Sequence, residues 1–216
     1  MRHPLASRIL AHRGHWSEEY NQEELEKNSL QAITRAANFG FGIETDIRDF
    51  CGQVVISHDP VINKSIEFSE ILGLQIAGLV ALNVKADGLV PLIISDMKRE
   101  APAFEHFFFD MSYPESVRYR VGELPVAERK SEFEPIFTYN SKYIWVDNFN
   151  SDWYLEEIML PFKPDGTKVV VVSPELHGRP YLQTWKWLAN QMVRDDSLYI
   201  CTDYPLRFLD TLKSSL

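Results

Sequence analysis

Short runs rich in apolar and β-branched residues alternate along the chain with longer stretches in which apolar positions recur every three or four residues. The two periods predict strands joined by helices. The strand-like runs cover 8–12, 42–47, 76–85, 106–111, 124–129, 143–149, 168–174 and 198–202. A further short run, 54–57, follows the second strand through Cys51-Gly52 and reads as an extension of the loop above it. Between the first two strands, Asn28 and Ser29 look like cap residues, Leu30, Ile33, Ala36 and Ala37 form a helical stripe, and Gly40 supplies the stop. Helices are also expected over 87–100, 152–160, 180–193 and 206–216, the fourth with Leu182, Trp185, Leu188 and Met192 on one face. The stretch 113–123 is too short and polar to read as a helix.

Eight strands alternating with helices fit a closed (β/α)8 barrel or an open doubly wound sheet. The polar residues decide between them. Seven runs carry ionisable or amide groups at or just past their C-terminal ends: His12-Arg13, Glu44 and Asp46, Asn83 and Lys85, Asp110, Arg129, Asp147, and Glu175 with His177; the eighth ends in Asp203. A barrel gathers all these ends around one mouth, where the active sites of that fold lie, whereas an open sheet spreads them along an edge. The expectation is an α/β protein forming a single (β/α)8 TIM barrel, one domain over 1–216.

Composition narrows the function. With 31 acidic against 22 basic residues the formal charge is −9, which disfavours nucleic acid and anionic membranes as partners. No run approaches the ~20 apolar residues of a membrane helix, and the N-terminus lacks the apolar core of a signal peptide. Cys51 and Cys201 lie far apart, in no metal-type spacing, and read as reduced, buried or half-buried thiols. A cytoplasmic setting is the default.

Four segments carry chemistry. His12 and Arg13 leave the first strand in Ala-His-Arg-Gly-His-Trp; alone, each has an ordinary structural reading. Glu44 and Asp46, two apart on a strand, share one face. Inside a barrel they repel each other and lose water, a cost that a hard divalent cation relieves, with arginine or lysine partners as the alternative. His58 and Asp59 follow the short 54–57 run, and in the fourth segment Asn83 and Lys85 again share a face. Two histidines, an acidic pair and two interior cations match the needs of phosphodiester cleavage: one group to deprotonate a nucleophile, one to protonate the leaving oxygen, and positive charge for the phosphoryl oxygens.

The same residues resemble the glycerophosphodiester phosphodiesterase family, among the phospholipase-C-like barrel enzymes. His-Arg-Gly at 12–14, Lys-Asn-Ser-Leu at 27–30, the Ile-Glu-Thr-Asp strand at 43–46 and Ser-His-Asp at 57–59 carry the likeness through roughly the first 85 residues, with a last echo in Thr202-Asp203-Tyr204-Pro205. The resemblance implies hydrolysis of a glycerophosphodiester-type substrate with one divalent cation, Mg²⁺ or Ca²⁺. It assigns His12 and His58 to acid/base catalysis and Arg13 to the phosphate, with Glu44 and Asp46 as metal ligands. Lys85 matches the lysine of the family's third-strand Glu-x-Lys motif. Asn83 stands where that motif has its glutamate, a third ligand, and weakens the expected metal affinity by one charge. Lys27 stands where the family's Glu-Asn-Thr motif has its glutamate and brings positive charge towards the phosphate. Asp110 or Asp147 are candidates to replace the missing carboxylate.

Glu175 and His177, past the seventh strand, are expected to contact substrate, with a plain loop as the alternative. Arg129 and Glu132 read as an ion pair, Trp145 and Trp153 as packing, and His3, His15 and His106 as structural. The expected partner is a small phosphodiester. Three other readings stay open: a lyase of the same group that stops at a cyclic phosphate, a non-catalytic barrel binding a phosphorylated ligand, and an aldolase-type barrel using Lys85.

Overall fold

A computed structural model describes residues 4–134, 141–157 and 166–216. Its strands are β1 (Ile9–His12), β2 (Gly42–Phe50), β3 (Gln53–Ile56), β4 (Ile66–Glu67), β5 (Val80–Val84), β6 (His106–Phe109), β7 (Ala127–Lys130), β8 (Tyr143–Val146), β9 (Lys168–Val172) and β10 (Leu198–Thr202). Its helices are α1 (Leu30–Phe39), α2 (Phe68–Leu72), α3 (Val90–Glu100), α4 (Tyr113–Val121), α5 (Tyr154–Glu157), α6 (Leu182–Arg194) and α7 (Pro205–Lys213).

Parallel pairing runs β7-β8-β9-β10-β1-β2-β5-β6. The ring closes between β6 and β7 through one parallel bridge, Phe108 to Val126, beside a hydrogen bond from the Phe108 N–H to the Pro125 carbonyl. The fold is therefore a (β/α)8 barrel, and the eight expected strands are its eight staves. The 54–57 run is β3, which pairs antiparallel with the outer end of β2, Ile47–Phe50, and carries β4 on its far edge. Nothing marks the short α2 in the sequence reading. No helix among the described residues is long and apolar enough to cross a membrane.

Local chemistry accounts for the helix limits. The Ser29 hydroxyl accepts the Ala32 N–H at 3.1 Å and starts α1. Gly40 ends it at φ 85°, a left-handed turn that lets its N–H reach the Ala36 and Ala37 carbonyls. The stretch 113–123, read as no helix, in fact holds α4. The Ser112 hydroxyl accepts the Glu115 N–H, Pro114 sits in the first turn, and α4 buries only Glu115 and Tyr119, with the Tyr119 ring 5.1 Å from that of Phe108. An end cap and one aromatic anchor, not an apolar stripe, make this helix. On α6, Trp185, Leu188 and Met192 are buried as expected, but Leu182 is exposed at the first turn. Of the expected 152–160 helix, 154–157 is helical, 152–153 precede it, and 158–160 lie outside the described residues.

Alternate strand residues face opposite ways, and two apolar clusters result. Ile9, Ile43, Leu82, Phe108, Ile144, Val171 and Ile200 pack outward against the helices. Leu10, Ala81, Phe107, Phe109, Ala127, Tyr143, Trp145, Val170, Val172 and Cys201 fill the interior. There Phe109 stacks on Trp145 with centroids 4.1 Å apart and Phe107 on Tyr143 at 4.9 Å. The barrel thus has a solid aromatic floor beneath its C-terminal mouth. Trp145→Ala empties the centre of that floor and is expected to cost about 3–5 kcal/mol in urea unfolding followed by circular dichroism; a loss within ~0.5 kcal/mol rules out this account of the interior.

Candidate active site

Towards the C-terminal ends of six of the eight staves the inward-facing positions turn polar. His12 follows Leu10, Glu44 and Asp46 follow Gly42, Asn83 and Lys85 follow Ala81, Arg129 follows Ala127, Asp147 follows Trp145, and Asp203 follows Cys201. These residues ring the mouth.

Asp46 is fully buried, and its carboxylate organises one side of the ring. Arg13 Nε lies 3.1 Å from Oδ2, the Asn28 amide donates to the same oxygen at 2.9 Å, and Lys85 Nζ lies 3.4 Å from Oδ1. Asn28 does more than begin a helix: its side-chain oxygen accepts the Thr45 hydroxyl at 2.8 Å, and its N–H donates to the Arg13 carbonyl. Arg13 and Asn28 both hold left-handed backbones, φ 55° and 60°. Gly14 beside them (φ 81°) is required, because a Cβ there would lie 2.7 Å from the Ala32 carbonyl carbon at the start of α1.

His12 sits between two acids. Its Nδ1 is 2.7 Å from Asp203 Oδ1, and its Nε2 is 3.8 Å from Glu44 Oε2. Asp203 is held in turn. Its N–H donates to Glu175 at 3.3 Å, and Ser17 donates to its carbonyl. Glu175, expected at the substrate, spends both carboxylate oxygens within the protein, on Asp203, Thr202 and Ser173. Asp203 is the residue the sequence reading left without a role. Its signals were the Thr-Asp-x-Pro echo and its place two residues past the inward-facing Cys201.

The far side of the ring is an ion-pair chain. Lys85 reaches Asp110 at 3.5 Å, Asp110 pairs with Arg129, and Arg129 Nε lies 2.9 Å from Glu134 and 3.6 Å from Asp147. His177 Nε2 is 3.6 Å from Asp147, and its ring rests 4.6 Å from that of Phe149. Arg129 therefore does not pair with Glu132, whose carboxylate instead accepts the N–H groups of Phe149, Asn150 and Ser151. Asp110 and Asp147 serve Arg129 and are not spare carboxylates beside Asn83.

His58 stands apart from these contacts. Its ring is 43% exposed, with Nδ1 2.9 Å from Asp59 Oδ1. What joins it to the mouth is a cavity of about 710 Å³ whose wall it shares with Arg13, Lys27 and Asn28. Of the remaining expectations, Cys201 is buried in the floor while Cys51 is exposed in the β2–β3 turn, against the buried or half-buried reading. Trp145 packs inside the barrel, and Trp153 is partly buried with its indole N–H donating to the Asp147 carbonyl. His15 is fully buried against Glu19, Phe39 and Phe41; His106 is largely buried at the start of β6; His3 lies outside the described residues.

Among the described residues no three His, Cys, Asp or Glu side chains are grouped to hold a metal. The oxygen donors present are Glu44, Asp46 and the Asn83 amide, with Asn83 directly opposite Asp46 in the β2–β5 register. The side-chain oxygen of Asn83 and Oδ1 of Asp46 are both buried and accept no hydrogen bond. Two carboxylates and an unpartnered amide oxygen suit a hard cation. Burial, and secondarily the neighbouring Asp46 charge, push the Glu44 carboxyl up to about 7 from the ordinary 4.5, with His12 and Arg13 pulling the other way. Glu44 is left short of positive charge, and so is Glu175, whose carboxyl burial raises although Ser173 and Thr202 donate to it.

Fold and mouth together define a (β/α)8 barrel with a charged, histidine-bearing C-terminal site. Two solved structures that it resembles are a glycerophosphodiester phosphodiesterase and a protein assigned as one. A glycerophosphodiester phosphodiesterase from Parabacteroides distasonis ATCC 8503 superposes over 96% of this chain and 97% of its own, with TM-score 0.63 and 18% identity. A protein assigned as a glycerophosphoryl diester phosphodiesterase from Agrobacterium tumefaciens str. C58 does so over the same shares, with TM-score 0.65 and 12% identity. The chain has the fold of these phosphodiesterases. No protein-family model and no curated protein sequence matches it.

The Glu44 shift has a sign that stability can read. Between about pH 4.5 and 7 the folded protein keeps a proton that the unfolded chain releases, so stability falls as pH rises through that window. In buffer with chelator, Glu44→Gln is expected to match the native Tm near pH 4.5 and to exceed it by roughly 5–10 °C at pH 8. A Tm difference independent of pH would show that Glu44 carries no such strain.

Proposed function

We propose that this chain is a phosphodiesterase acting on glycerophosphodiester-like substrates, using one divalent cation, Mg²⁺ or Ca²⁺, with His12 and His58 transferring protons. The observation that carries the reading is the Asp203–His12 pair facing Glu44 at the mouth of a barrel with this fold.

Asp203 binds His12 through Nδ1, which leaves Nε2 facing the mouth as an acceptor. A carboxylate behind a histidine sets its tautomer and stabilises the imidazolium that forms when it takes a proton. His12 is therefore the base. It removes the proton from a substrate hydroxyl neighbouring the phosphate; that oxygen bonds to phosphorus, and the bond from phosphorus to the leaving alcohol breaks. His58, on the wall of the adjoining cavity, gives a proton to the departing alkoxide. Water then opens the cyclic phosphate with the two roles exchanged, leaving a phosphomonoester and restoring both histidines. Arg13 and Lys85 supply positive charge for the phosphoryl oxygens, each already beside Asp46 and so fixed in place. Glu44, Asp46 and Asn83 would hold the cation, which when bound withdraws charge from the phosphoryl oxygens. Glu175 positions Asp203, and His177 borders the far side through Asp147. Between two carboxylates, Lys85 is a counter-charge and not a Schiff-base nucleophile.

A second reading, a barrel that binds a phosphorylated ligand without turning it over, draws on the pairing of His58 with Asp59 and on Asp46 already facing two cations. Activity separates the two. On a panel of glycerophosphodiesters and aryl phosphodiesters, turnover is expected with Mg²⁺ or Ca²⁺ and loss of it in EDTA. His12→Ala should lower kcat roughly 10²–10⁴-fold while ligand affinity changes far less. A native chain inactive on the whole panel favours the binding reading; activity that survives loss of both histidines refutes the mechanism. In calorimetry, Asn83→Glu should tighten Mg²⁺ or Ca²⁺ binding by restoring a third carboxylate, and unchanged affinity removes Asn83 from the ligand set.

A further inference from the structure

His12 stands on a stave of the barrel, but His58 does not. It lies just past β3, with its exposed ring turned to Asp59, so its place at the mouth has to be set from outside its own segment. Two contacts set it, and both come from β2. The Ser57 N–H donates to the Asp46 carbonyl at 3.0 Å, where β3 runs back along β2. Nη1 of Arg48 then donates to the His58 carbonyl at 3.1 Å. The Ser57 hydroxyl, donating to the Asp59 carbonyl at 2.8 Å, folds the segment on itself between those two points.

Arg48 is on the same face of β2 as Glu44 and Asp46, because residues two apart on a strand point the same way. Ile43 and Ile47 take the opposite face, against the helices. Among the described residues no carboxylate lies within ion-pair distance of Arg48. Its Nε is buried and meets no acceptor, an arrangement that is unfavourable for a donor removed from water. A guanidinium that neutralises no acid and leaves one nitrogen unsatisfied is not explained by charge balance. The His58 carbonyl is the contact that accounts for its place.

We infer that Arg48 is a positioning residue for His58. It ties the backbone of the proton donor to the strand that carries Glu44 and Asp46, and it leaves the imidazole free to turn from Asp59 to the departing oxygen. The inference rests on the proposed mechanism for the role of His58. Since Arg48 holds the carbonyl and not the ring, it acts on proton transfer only through His58.

The test uses two leaving groups. An alkoxide needs a proton to depart and p-nitrophenolate does not, so a misplaced proton donor slows an alkyl ester and spares an aryl ester. With Mg²⁺ present, the single-turnover rate of alcohol release is measured on the ethyl and the p-nitrophenyl diesters of glycerol phosphate. This step precedes opening of the cyclic phosphate. Arg48→Met should slow release from the ethyl diester roughly 10- to 100-fold and change the nitrophenyl rate by no more than about twofold. The nitrophenyl rate also shows that the variant is folded with its mouth intact. Arg48→Met/His58→Ala should be no slower on the ethyl diester than His58→Ala, because residues acting on one proton transfer are not additive. An unchanged ethyl rate, equal losses on the two diesters, or a double variant slower than His58→Ala overturns the inference. Should the native chain turn over neither diester, amide hydrogen exchange over 57–59 decides. Faster exchange in Arg48→Met then keeps the tether and removes the proton-donor reading, and unchanged exchange removes the tether.

Discussion

A carboxylate taken out of water has to recover its solvation from the protein, and Asp46 recovers it from three chain segments at once. Arg13 comes from the end of β1, Asn28 from the loop before α1 and Lys85 from the end of β5. None of these can move without exposing an unpaired charge, a loss of several kcal/mol when one partner of a buried pair is removed. The left-handed backbones at Arg13 and Asn28 are held against their own preference by this shared anchor. So is the close seat of α1 on Gly14. The geometry of the mouth is therefore a product of charge compensation more than of apolar packing, which stops at the aromatic floor one layer below.

Compensation is unevenly shared. Asp46 faces two cations and an amide, Asp110 faces Lys85 and Arg129, and Asp203 faces His12. Glu44 has a backbone N–H and a histidine at 3.8 Å. Glu44 is a buried acid left under-neutralised next to two oxygens that accept no hydrogen bond, at the face where the histidine–aspartate pair presents its second nitrogen. An imbalance of that kind is cheap to avoid by substitution, and here it sits beside His12.

Most of the fold was legible in the residues because its strands are short, apolar on both faces and separated by periodic helices, so each stave announced itself. The polar residues at strand ends, such as Glu44, Asp46, Asn83 and Asp203, told a barrel from an open sheet. What escaped was whatever depends on partners distant in sequence. The α4 segment offers no apolar stripe, because its anchor is the single contact of Tyr119 with Phe108 across the layer. Glu175 looked like a ligand contact since it sits past a strand, yet its oxygens turn to Thr202 and Asp203 in the next one. Arg129 has an acid three residues on, but its partners come from neighbouring staves and from Glu134. Sequence adjacency was a poor guide to charge pairing here; strand register was a good one.

Closure between β6 and β7 by a single bridge gives the barrel one compliant joint. Counting round the ring, that joint lies diametrically across from β1 and β10, the staves that present His12 and Asp203. The chain from Lys85 through Asp110 and Arg129 to Asp147 spans it at the mouth, so what backbone pairing omits is replaced by ionic clamps on the solvent side. The weakest backbone seam of the wall thus lies on the half opposite His12 and Asp203. Its clamps loosen with ionic strength, since partly exposed ion pairs weaken as salt screens them while the apolar floor does not. Salt therefore acts on one flank of the barrel, and the flank that carries His12 is held by continuous strand pairing.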